Sequence, residues 1–189
     1  MFKSFIKKYR DAPDESLMRD IVRCDERAFA ELYHRYGARM HRYFYRMLWR
    51  DAILAEDFTQ ELFLKIIEKP HLYDTTRPFR AWIYALASNM CKNEYRRKKP
   101  ADVEWLPGNE TIHEIRLPEQ LDRQLFETSL REAIDQLGET HKQCFVLRYQ
   151  EELSVAEIAA ITLCPEGTVK SRLHYALQKV SERLTIFKD

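Results

Sequence analysis

The chain has 189 residues, with 31 Lys and Arg against 30 Asp and Glu and only four glycines. This length predicts one ordinary domain or two small ones, and a hydrophobic content of 45% is enough for a core. The glycines lie too far apart to share a phosphate-binding loop, which excludes a P-loop and a dinucleotide-binding fingerprint. No apolar run approaches the roughly 20 residues of a bilayer-spanning helix, so we expect no membrane insertion.

The N-terminal segment and the spacing of the cysteines favour a cytoplasmic protein. The basic N-terminus lacks the apolar region of a secretory signal. Residues 2–9 have one apolar helical face, which favours a short leader helix that docks on the protein over a membrane-surface helix. The four cysteines are widely scattered, which is typical of reduced thiols. His141 and Cys144 could supply two metal ligands, but no second pair follows, so Cys144 is interpreted as a buried core residue. We therefore expect neither a metal nor a cofactor.

The charge is unevenly distributed along the chain. Residues 1–99 carry 21 basic and 14 acidic side chains, a balance of +7, whereas 100–125 carry −4 and 126–189 carry −2. The acidic middle contains three prolines and shows no helical periodicity, as a linker does. The predicted division is an N-terminal domain at 1–99, an acidic linker at 100–121 and a C-terminal domain at 122–189.

The elements on both sides of this linker have the periodicity of helices. The first predicted helix has an apolar stripe at three- and four-residue spacing, and a second one ends before Pro70. A third helix is predicted from about Phe79 to Arg97, and two more at 121–137 and 140–149. No stretch alternates as a long strand would, so the predicted fold is all-α, in two small helical domains joined by a flexible linker. The stripe of the first helix consists of Leu32, Tyr36, Met40, Phe44 and Met47.

The C-terminal domain has the pattern of a helix-turn-helix. Ser154 and Glu157 form a capping box at the start of a short apolar helix over 155–161. Pro165 is then placed in the first turn of a second helix, with Cys164 in the cap position. This second helix is expected to run to about Thr185. Its predicted buried stripe consists of Val169, Leu173, Leu177, Val180 and Leu184.

The polar face of this second helix carries donors suited to phosphate oxygens and to major-groove base edges. A generic helical hairpin with a solvated face is the alternative. The capping box, the short turn and the excess of basic residues coincide, which favours DNA binding. The residues of this face are Thr168, Lys170, Ser171, Arg172, His174 and Tyr175.

Two other faces are ambiguous from the residues alone. Trp82, Asn89 and Arg96 are spaced by seven, with Asn93 one turn after Asn89, and Arg97 follows. An aromatic ring, amides and basic groups suit single-stranded nucleic acid, but a buried Trp followed by a solvated basic helix end explains the same pattern. Asp57, Gln60 and Glu61 lie one turn apart, and by themselves they are most simply a solvated face.

A family resemblance gives these patterns roles. The stretches 145–159 and 164–174 resemble the promoter-reading C-terminal domain of the extracytoplasmic-function (ECF) sigma factors, which are subunits of bacterial RNA polymerase. Residues 80–97 resemble the helix of that family that melts and reads the −10 element, and 57–63 its polymerase-docking helix. The sequence departs from the family at Thr162-Leu163, where Leu-Gly is usual, and at Tyr175, where arginine is common.

By this resemblance the partners are core RNA polymerase, promoter DNA and an anti-sigma factor. It assigns base or backbone contacts in the −10 element to Trp82, Asn89, Asn93, Arg96 and Arg97, and polymerase docking to Asp57, Gln60 and Glu61. The loop 73–78 corresponds to the segment that captures a flipped base. The −35 contacts are assigned to Arg148, Thr168, Lys170, Ser171, Arg172, His174 and Tyr175.

Two other classes of protein fit these patterns less well. A helix-turn-helix regulator that is not a polymerase subunit would leave the Trp82 and Asp57 helices without a purpose. A nucleic-acid enzyme would need clustered carboxylates or an activated nucleophile, and Asp57 and Glu61 have no third carboxylate or histidine beside them in the sequence. The chain is therefore expected not to be an enzyme.

Overall fold

The computed structural model describes residues 9–98 and 119–184, and within these ranges the chain is helical and contains no strand. The all-α prediction is confirmed. Residues 1–8, which include most of the expected leader helix, residues 99–118, which include most of the expected linker, and residues 185–189 lie outside the described part. The helices are α1 (Asp14–Val22), α2 (Glu26–Met47), α3 (Ala52–Glu68), α4 (Phe79–Lys98), α5 (Glu119–Asp135), α6 (Glu139–Phe145), α7 (Val155–Thr162) and α8 (Glu166–Arg183).

The N-terminal region is built around α2. Its first-turn amides are capped by Asp25, whose carboxylate accepts from the Arg27 and Ala28 N–H groups at 2.9 and 3.2 Å. The five stripe residues predicted from the sequence are all buried, as expected for an amphipathic helix that faces the core. Helix α3 packs against α2 in an antiparallel hairpin and begins after the cap residue Asp51, whose carboxylate accepts from the Leu54 N–H.

Helix α4 is buried on two sides. Its first residue, Phe79, is fully buried, with its ring 5.2 Å from that of Tyr36 in an edge-on arrangement. Further along, the Tyr43 hydroxyl of α2 lies 2.9 Å from Ser88 Oγ, and the Tyr95 hydroxyl donates to the carbonyl of Met47. These long-range contacts set the rotation of α4 about its axis, because buried polar groups must keep their partners.

The capping box of the C-terminal region is present as predicted. Ser154 Oγ accepts from the Glu157 N–H at 3.2 Å, and the Glu157 carboxylate accepts from the Ser154 N–H at 2.8 Å. Helix α7 ends at Thr162, and Leu163 then takes a left-handed conformation with φ 55°. The prediction that Cys164 caps α8 is wrong, since Pro165 has the cap position and the helix begins at Glu166.

Two further details of the C-terminal region differ from the sequence prediction. Leu177 is 43% exposed and Ala176 is fully buried, because the spacing 169, 173, 176, 180 follows the helical period more closely than a stripe through 177. The helix predicted over 140–149 ends at Phe145 and continues as a π-helical turn, Val146–Gln150. This turn leads the chain into the capped start of α7.

The two regions pack directly on one another. Helix α4 lies against α7, and α2 contacts α6. The main core therefore continues from the N-terminal aromatic residues to Val146, Leu147 and Ile158 of the C-terminal region. A second, smaller core forms between α5, α6 and α8 around Ile134, Phe145 and Ala176.

Candidate nucleic-acid interfaces

Helix α8 presents most of its predicted polar residues on one open face. Lys170, Ser171, His174 and Tyr175 are exposed, and Thr168 is half-buried. The opposite side of α8 supports this face, because Val169 and Ala176 are fully buried. The predicted residues therefore share one face, with the exception of Arg172 and Arg148.

Arg172 points towards the turn of the helix-turn-helix rather than away from the protein. It is half-buried, its Nη1 lies 3.6 Å from Cys164 Sγ, and it also contacts the Cys144 thiol. Cys164 Sγ in turn lies 3.1 Å from Thr162 Oγ1. The guanidinium thus ties α8 to the turn and to α6. Burial raises the pKa of the Cys144 thiol, and the nearby Arg172 charge opposes that rise.

Arg148 and Tyr175 are also held by neighbours. Arg148 is exposed, but its Nη1 donates to the Leu153 carbonyl at 2.9 Å and so braces the turn before α7. The Tyr175 ring lies 4.6 Å from the His141 ring, and the Lys179 ammonium lies 5.9 Å from its centre. Partial burial lowers the pKa of His141, with a further contribution from the Arg172 charge. The His141 and Tyr175 rings meet at a tilt of 43°.

The predicted −10 residues lie on a strip of α4 that the core does not use. Asn89, Asn93 and Arg96 are all exposed. Trp82 is half-buried, with its ring 5.1 Å from Tyr73 and 5.6 Å from Phe79. The residues alone left two explanations of Trp82 open, and the structure shows an aromatic anchor that keeps part of its ring in solvent.

The loop that leads into α4 is ordered by its own side chains. The Tyr73 hydroxyl donates to the Arg77 carbonyl at 2.5 Å, and burial raises the pKa of Tyr73 to about 12. Asp74 Oδ1 accepts from the Thr76 N–H at 3.0 Å and from its hydroxyl at 2.6 Å. These bonds, which lower the pKa of Asp74, fix the loop beside Trp82 before any ligand binds.

The basic end of α4 is partly neutralised. Arg97 Nε lies 2.9 Å from a carboxylate oxygen of Glu94, and the Lys98 ammonium lies 3.6 Å from the same carboxyl group. The Lys98 ammonium also lies 4.4 Å from the centre of the Trp49 ring. The Arg97 guanidinium holds the pKa of Glu94 below its usual value. Arg97 is consequently less available to a phosphate than Arg96.

The third predicted face is on α3. Asp57, Gln60 and Glu61 are exposed, with Glu61 paired to Lys65 and Gln60 Nε2 3.5 Å from Glu56 Oε1. The prediction of this face did not include the apolar residues at its two ends. They lie at three- and four-residue spacing from Asp57 and Gln60, so the helical period places them on the same face. Ile53 is 77% exposed, Leu64 54% and Ile67 48%.

The described ranges 9–98 and 119–184 contain neither a group of metal-binding side chains nor a membrane-spanning helix. No three His, Cys, Asp or Glu side chains there are placed to hold a metal ion. Cys144 is fully buried, as predicted for a core residue. Within the same ranges, every helix is too short or too polar to cross a bilayer.

Two family models match these regions of the chain. Residues 32–100, which contain α3, α4 and most of α2, match Sigma-70 region 2. Residues 127–180, which contain the helix-turn-helix, match Sigma-70, region 4. The exposed faces of α3, α4 and α8 therefore all lie on matched segments.

Curated proteins and solved structures of the same kind are similar to the chain. It is 35% identical to the ECF RNA polymerase sigma factor SigL of Mycobacterium tuberculosis, over 82% of this chain and 86% of that protein. It is 30% identical to the RNA polymerase sigma-H factor of Pseudomonas aeruginosa, over 90% and 93%. The fold is similar to that of CnrH in complex with the cytosolic domain of CnrY, with a TM-score of 0.69 and 21% identity over 91% and 97% of the two chains.

Proposed function

Because the chain belongs to the ECF sigma factors of bacterial RNA polymerase, it binds the core enzyme and directs promoter-specific initiation, and we propose which of its surfaces carry each step. The observation that supports this assignment is that α3, α4 and α8 each keep an exposed polar face that the core does not use. The proposed units are the predicted ones, with an N-terminal domain at 1–99, a linker at 100–121 and a C-terminal domain at 122–189.

Helix α8 is the proposed reader of duplex −35 DNA. Lys170 and Ser171 are donors for phosphate and base acceptors, while His174 and Tyr175 extend the contact along the groove. Arg172 is proposed to act mainly by positioning α8, since its guanidinium is directed at the two thiols. Thr168 at the start of the helix and the braced Arg148 complete the proposed surface.

Helix α4 is the proposed reader of the unpaired −10 strand. Asn89 and Asn93 offer amide groups to base edges, and Arg96 offers a charge to the backbone, with Arg97 contributing less. The partly exposed ring of Trp82, beside the ordered loop 73–78, is a stacking platform for a base that has left the duplex. Stacking on an aromatic ring is worth about 1–3 kcal/mol per base, which helps to hold the strands apart.

The face of α3 is the proposed docking surface for core polymerase. Asp57, Gln60 and Glu61 would pair with basic groups of the partner, and Ile53 and Leu64 would supply the apolar contact that a charged face alone lacks. The chemistry of RNA synthesis then belongs to the polymerase, so this chain acts as a non-enzymatic subunit.

Two further assignments rest on similar proteins and on composition. The solved relative RpoE from Bartonella quintana is in complex with the anti-sigma factor NepR, and it shares the fold with a TM-score of 0.62 over 83% of this chain. We assign an anti-sigma partner to this chain as well. Its four free thiols and its role in transcription fit the cytoplasm.

The assignment is tested by three variants in three assays. Lys170→Ala should weaken binding to −35 duplex DNA and lower the salt slope by about one unit. Arg131→Ala removes an exposed cation of α5 that is already paired with Glu127 and should change neither. Asn89→Ala should impair binding to a −10 bubble only. Asp57→Ala should weaken association with core polymerase, with the exposed Glu68→Ala as its control.

The rival function predicts a different result. A helix-turn-helix regulator that is no polymerase subunit would bind its DNA without core polymerase and would not support run-off transcription when added to it. Loss of all three activities in every variant would show general unfolding instead of separate surfaces, and would overturn the assignment.

A further inference from the structure

Two cysteines of the C-terminal region share one arginine. Cys164 lies in the turn between α7 and α8, and Cys144 lies in α6. Arg172 Nη1 lies 3.6 Å from Cys164 Sγ, and the same guanidinium hydrogen-bonds the Cys144 thiol. The two thiols are also close enough to interact electrostatically. We call Cys144, Cys164 and Arg172 the two-thiol site.

The two thiols differ in their access to solvent. Cys144 is fully buried, whereas Cys164 is half-buried. Reactive cysteines are typically partly exposed and lie beside a basic group, whereas buried thiols are inert towards reagents in solution. Cys164 therefore has the surroundings of a reactive thiol. Cys144 has those of a thiol that reacts only with a sulfur atom beside it.

The Cys164 sulfur is held between an acceptor and a cation. The Thr162 hydroxyl donates its one hydrogen to the Ile158 carbonyl at 2.7 Å. In the 3.1 Å contact between Thr162 Oγ1 and Cys164 Sγ, the thiol is therefore the donor. On its other side the sulfur accepts from Arg172. The thiol proton thus has an acceptor, and a positive charge lies beside the sulfur that loses it.

The turn that carries Cys164 is strained. Leu163, the preceding residue, has φ 55° and is 86% exposed. A left-handed conformation is costly for a residue with a branched side chain. Because the turn starts from an unfavourable conformation, a shift of its backbone costs less than the same shift within a regular helix. The turn can therefore bring Cys164 towards α6.

The other two cysteines have different surroundings. Cys24 is exposed after the end of α1, and Cys91 is buried in the main core. Burial raises the pKa of the Cys91 thiol, and the Glu94 carboxylate raises it further. Cys91 should therefore resist oxidation, and Cys24 shows what exposure alone does to a thiol of this chain.

We propose that Cys164 is a peroxide-reactive thiol and that Cys144 is its resolving partner, so that a disulfide between them controls the −35 face of α8. The Cys164 thiolate attacks one oxygen of hydrogen peroxide, the O–O bond breaks and hydroxide leaves, which makes Cys164 a sulfenic acid. Cys144 then loses its proton and attacks the sulfenic sulfur. The S–S bond forms as the S–O bond breaks and a second hydroxide leaves. The two thiols lose two electrons in total, and one peroxide becomes two waters.

The bond changes α8 because Arg172 contacts both sulfur atoms. Joining the sulfurs displaces the guanidinium that ties α8 to the turn and to α6. Lys170 and Ser171 directly precede Arg172, so their direction towards DNA changes with it. The oxidised chain should bind −35 duplex DNA more weakly. This consequence rests on the proposed −35 function of α8, whereas formation of the bond does not.

The first test follows the bond in the full chain without DNA. The chain is treated with hydrogen peroxide, unfolded, blocked with N-ethylmaleimide and digested with trypsin. Cleavage after Lys142, Arg148 and Lys170 separates the two cysteines, so mass spectrometry should find residues 143–148 linked to 149–170. Dithiothreitol should separate these peptides. Oxidation confined to Cys24, with Cys144 and Cys164 both blocked by maleimide, would overturn the proposal.

Single-cysteine variants test the two roles. Cys164→Ser should leave Cys144 reduced, because peroxide does not reach the buried thiol. Cys144→Ala should accumulate the sulfenic acid at Cys164, which a dimedone probe detects. Cys24→Ser removes the exposed thiol and should form the bond as the unaltered chain does. Oxidation of Cys144 at an unchanged rate in Cys164→Ser would contradict the assigned order, and circular dichroism checks that each variant is folded.

Binding to −35 duplex DNA measures the consequence. Peroxide should lower the affinity of the unaltered chain by about tenfold, and dithiothreitol should restore it. Cys164→Ser should keep its affinity under the same treatment. A disulfide that leaves the affinity unchanged, or an equal loss in Cys164→Ser, would show that the bond does not control α8. The peptide map uses no DNA, so its outcome is separate from any failure of the −35 assignment.

Discussion

The exposed faces of α4 and α8 are placed by different kinds of interaction. The α4 face depends on contacts with residues far away in the chain, such as Phe79 against Tyr36 and the Tyr43–Ser88 hydrogen bond. The α8 face depends on local devices, namely the Ser154 capping box and the turn at Leu163. Damage to the support of α4 should therefore cost far more stability than damage to the support of α8.

The largest effect is expected from Phe79→Ala. The side chain is fully buried between aromatic neighbours, so its removal should lower the free energy of unfolding by about 3–5 kcal/mol. Binding to a −10 bubble should fail as well, since α4 loses its anchor. Leu72→Ala, at a side chain 62% exposed, should stay within about 0.5 kcal/mol. Chemical denaturation of both variants checks the difference.

A smaller loss is expected from Ser154→Ala. This change removes the acceptor for the Glu157 N–H and should cost about 1 kcal/mol, with a matching loss of −35 binding if α7 frays. Glu157→Gln keeps a side chain that can reach the Ser154 N–H and should cost less. Equal losses in the two variants would mean that the charge of Glu157 contributes as much as the Ser154 hydroxyl, and would contradict the expected order.

The smallest effect is a gain, from Leu163→Gly. Leu163 has φ 55° and is 86% exposed, so the energetic cost of its left-handed conformation is not offset by burial of its side chain. Glycine should raise stability by about 0.5–1 kcal/mol after the greater freedom of the unfolded chain is counted. Leu163→Ala keeps the strain and should be nearly neutral. A gain with alanine equal to that with glycine would show that the backbone is not the cause.

The contrast between local and long-range support also explains which parts of the site could be predicted from the sequence. The capping box and the short turn are local, so the helix-turn-helix followed from the residues alone. The α4 face did not, because α4 is buried on two sides and its free strip is defined only by neighbours such as Tyr43 and Met47. Its interpretation needed the family resemblance.

The errors have physical reasons of the same kind. Cys164 was placed in the cap position, but its thiol packs towards Thr162 and Arg172, and Pro165 takes the cap. Leu177 was predicted in the buried stripe, although the helical period places Ala176 closer to the line of Val169, Leu173 and Val180. The hydrogen bonds that Glu151 accepts from Arg46 and Tyr84 join residues 67 and more positions apart in the chain, and no periodicity signals such a pair.

The central claim is that α4 reads unpaired −10 bases while α8 reads duplex −35 DNA. Photocrosslinking in the complex of the full chain, core polymerase and promoter tests it most directly, with a reactive side chain at position 89 or position 170. The account predicts that position 89 crosslinks within the melted −10 element and position 170 within the −35 duplex. Crosslinks from both positions to the same element, or from position 89 to duplex DNA alone, would contradict it.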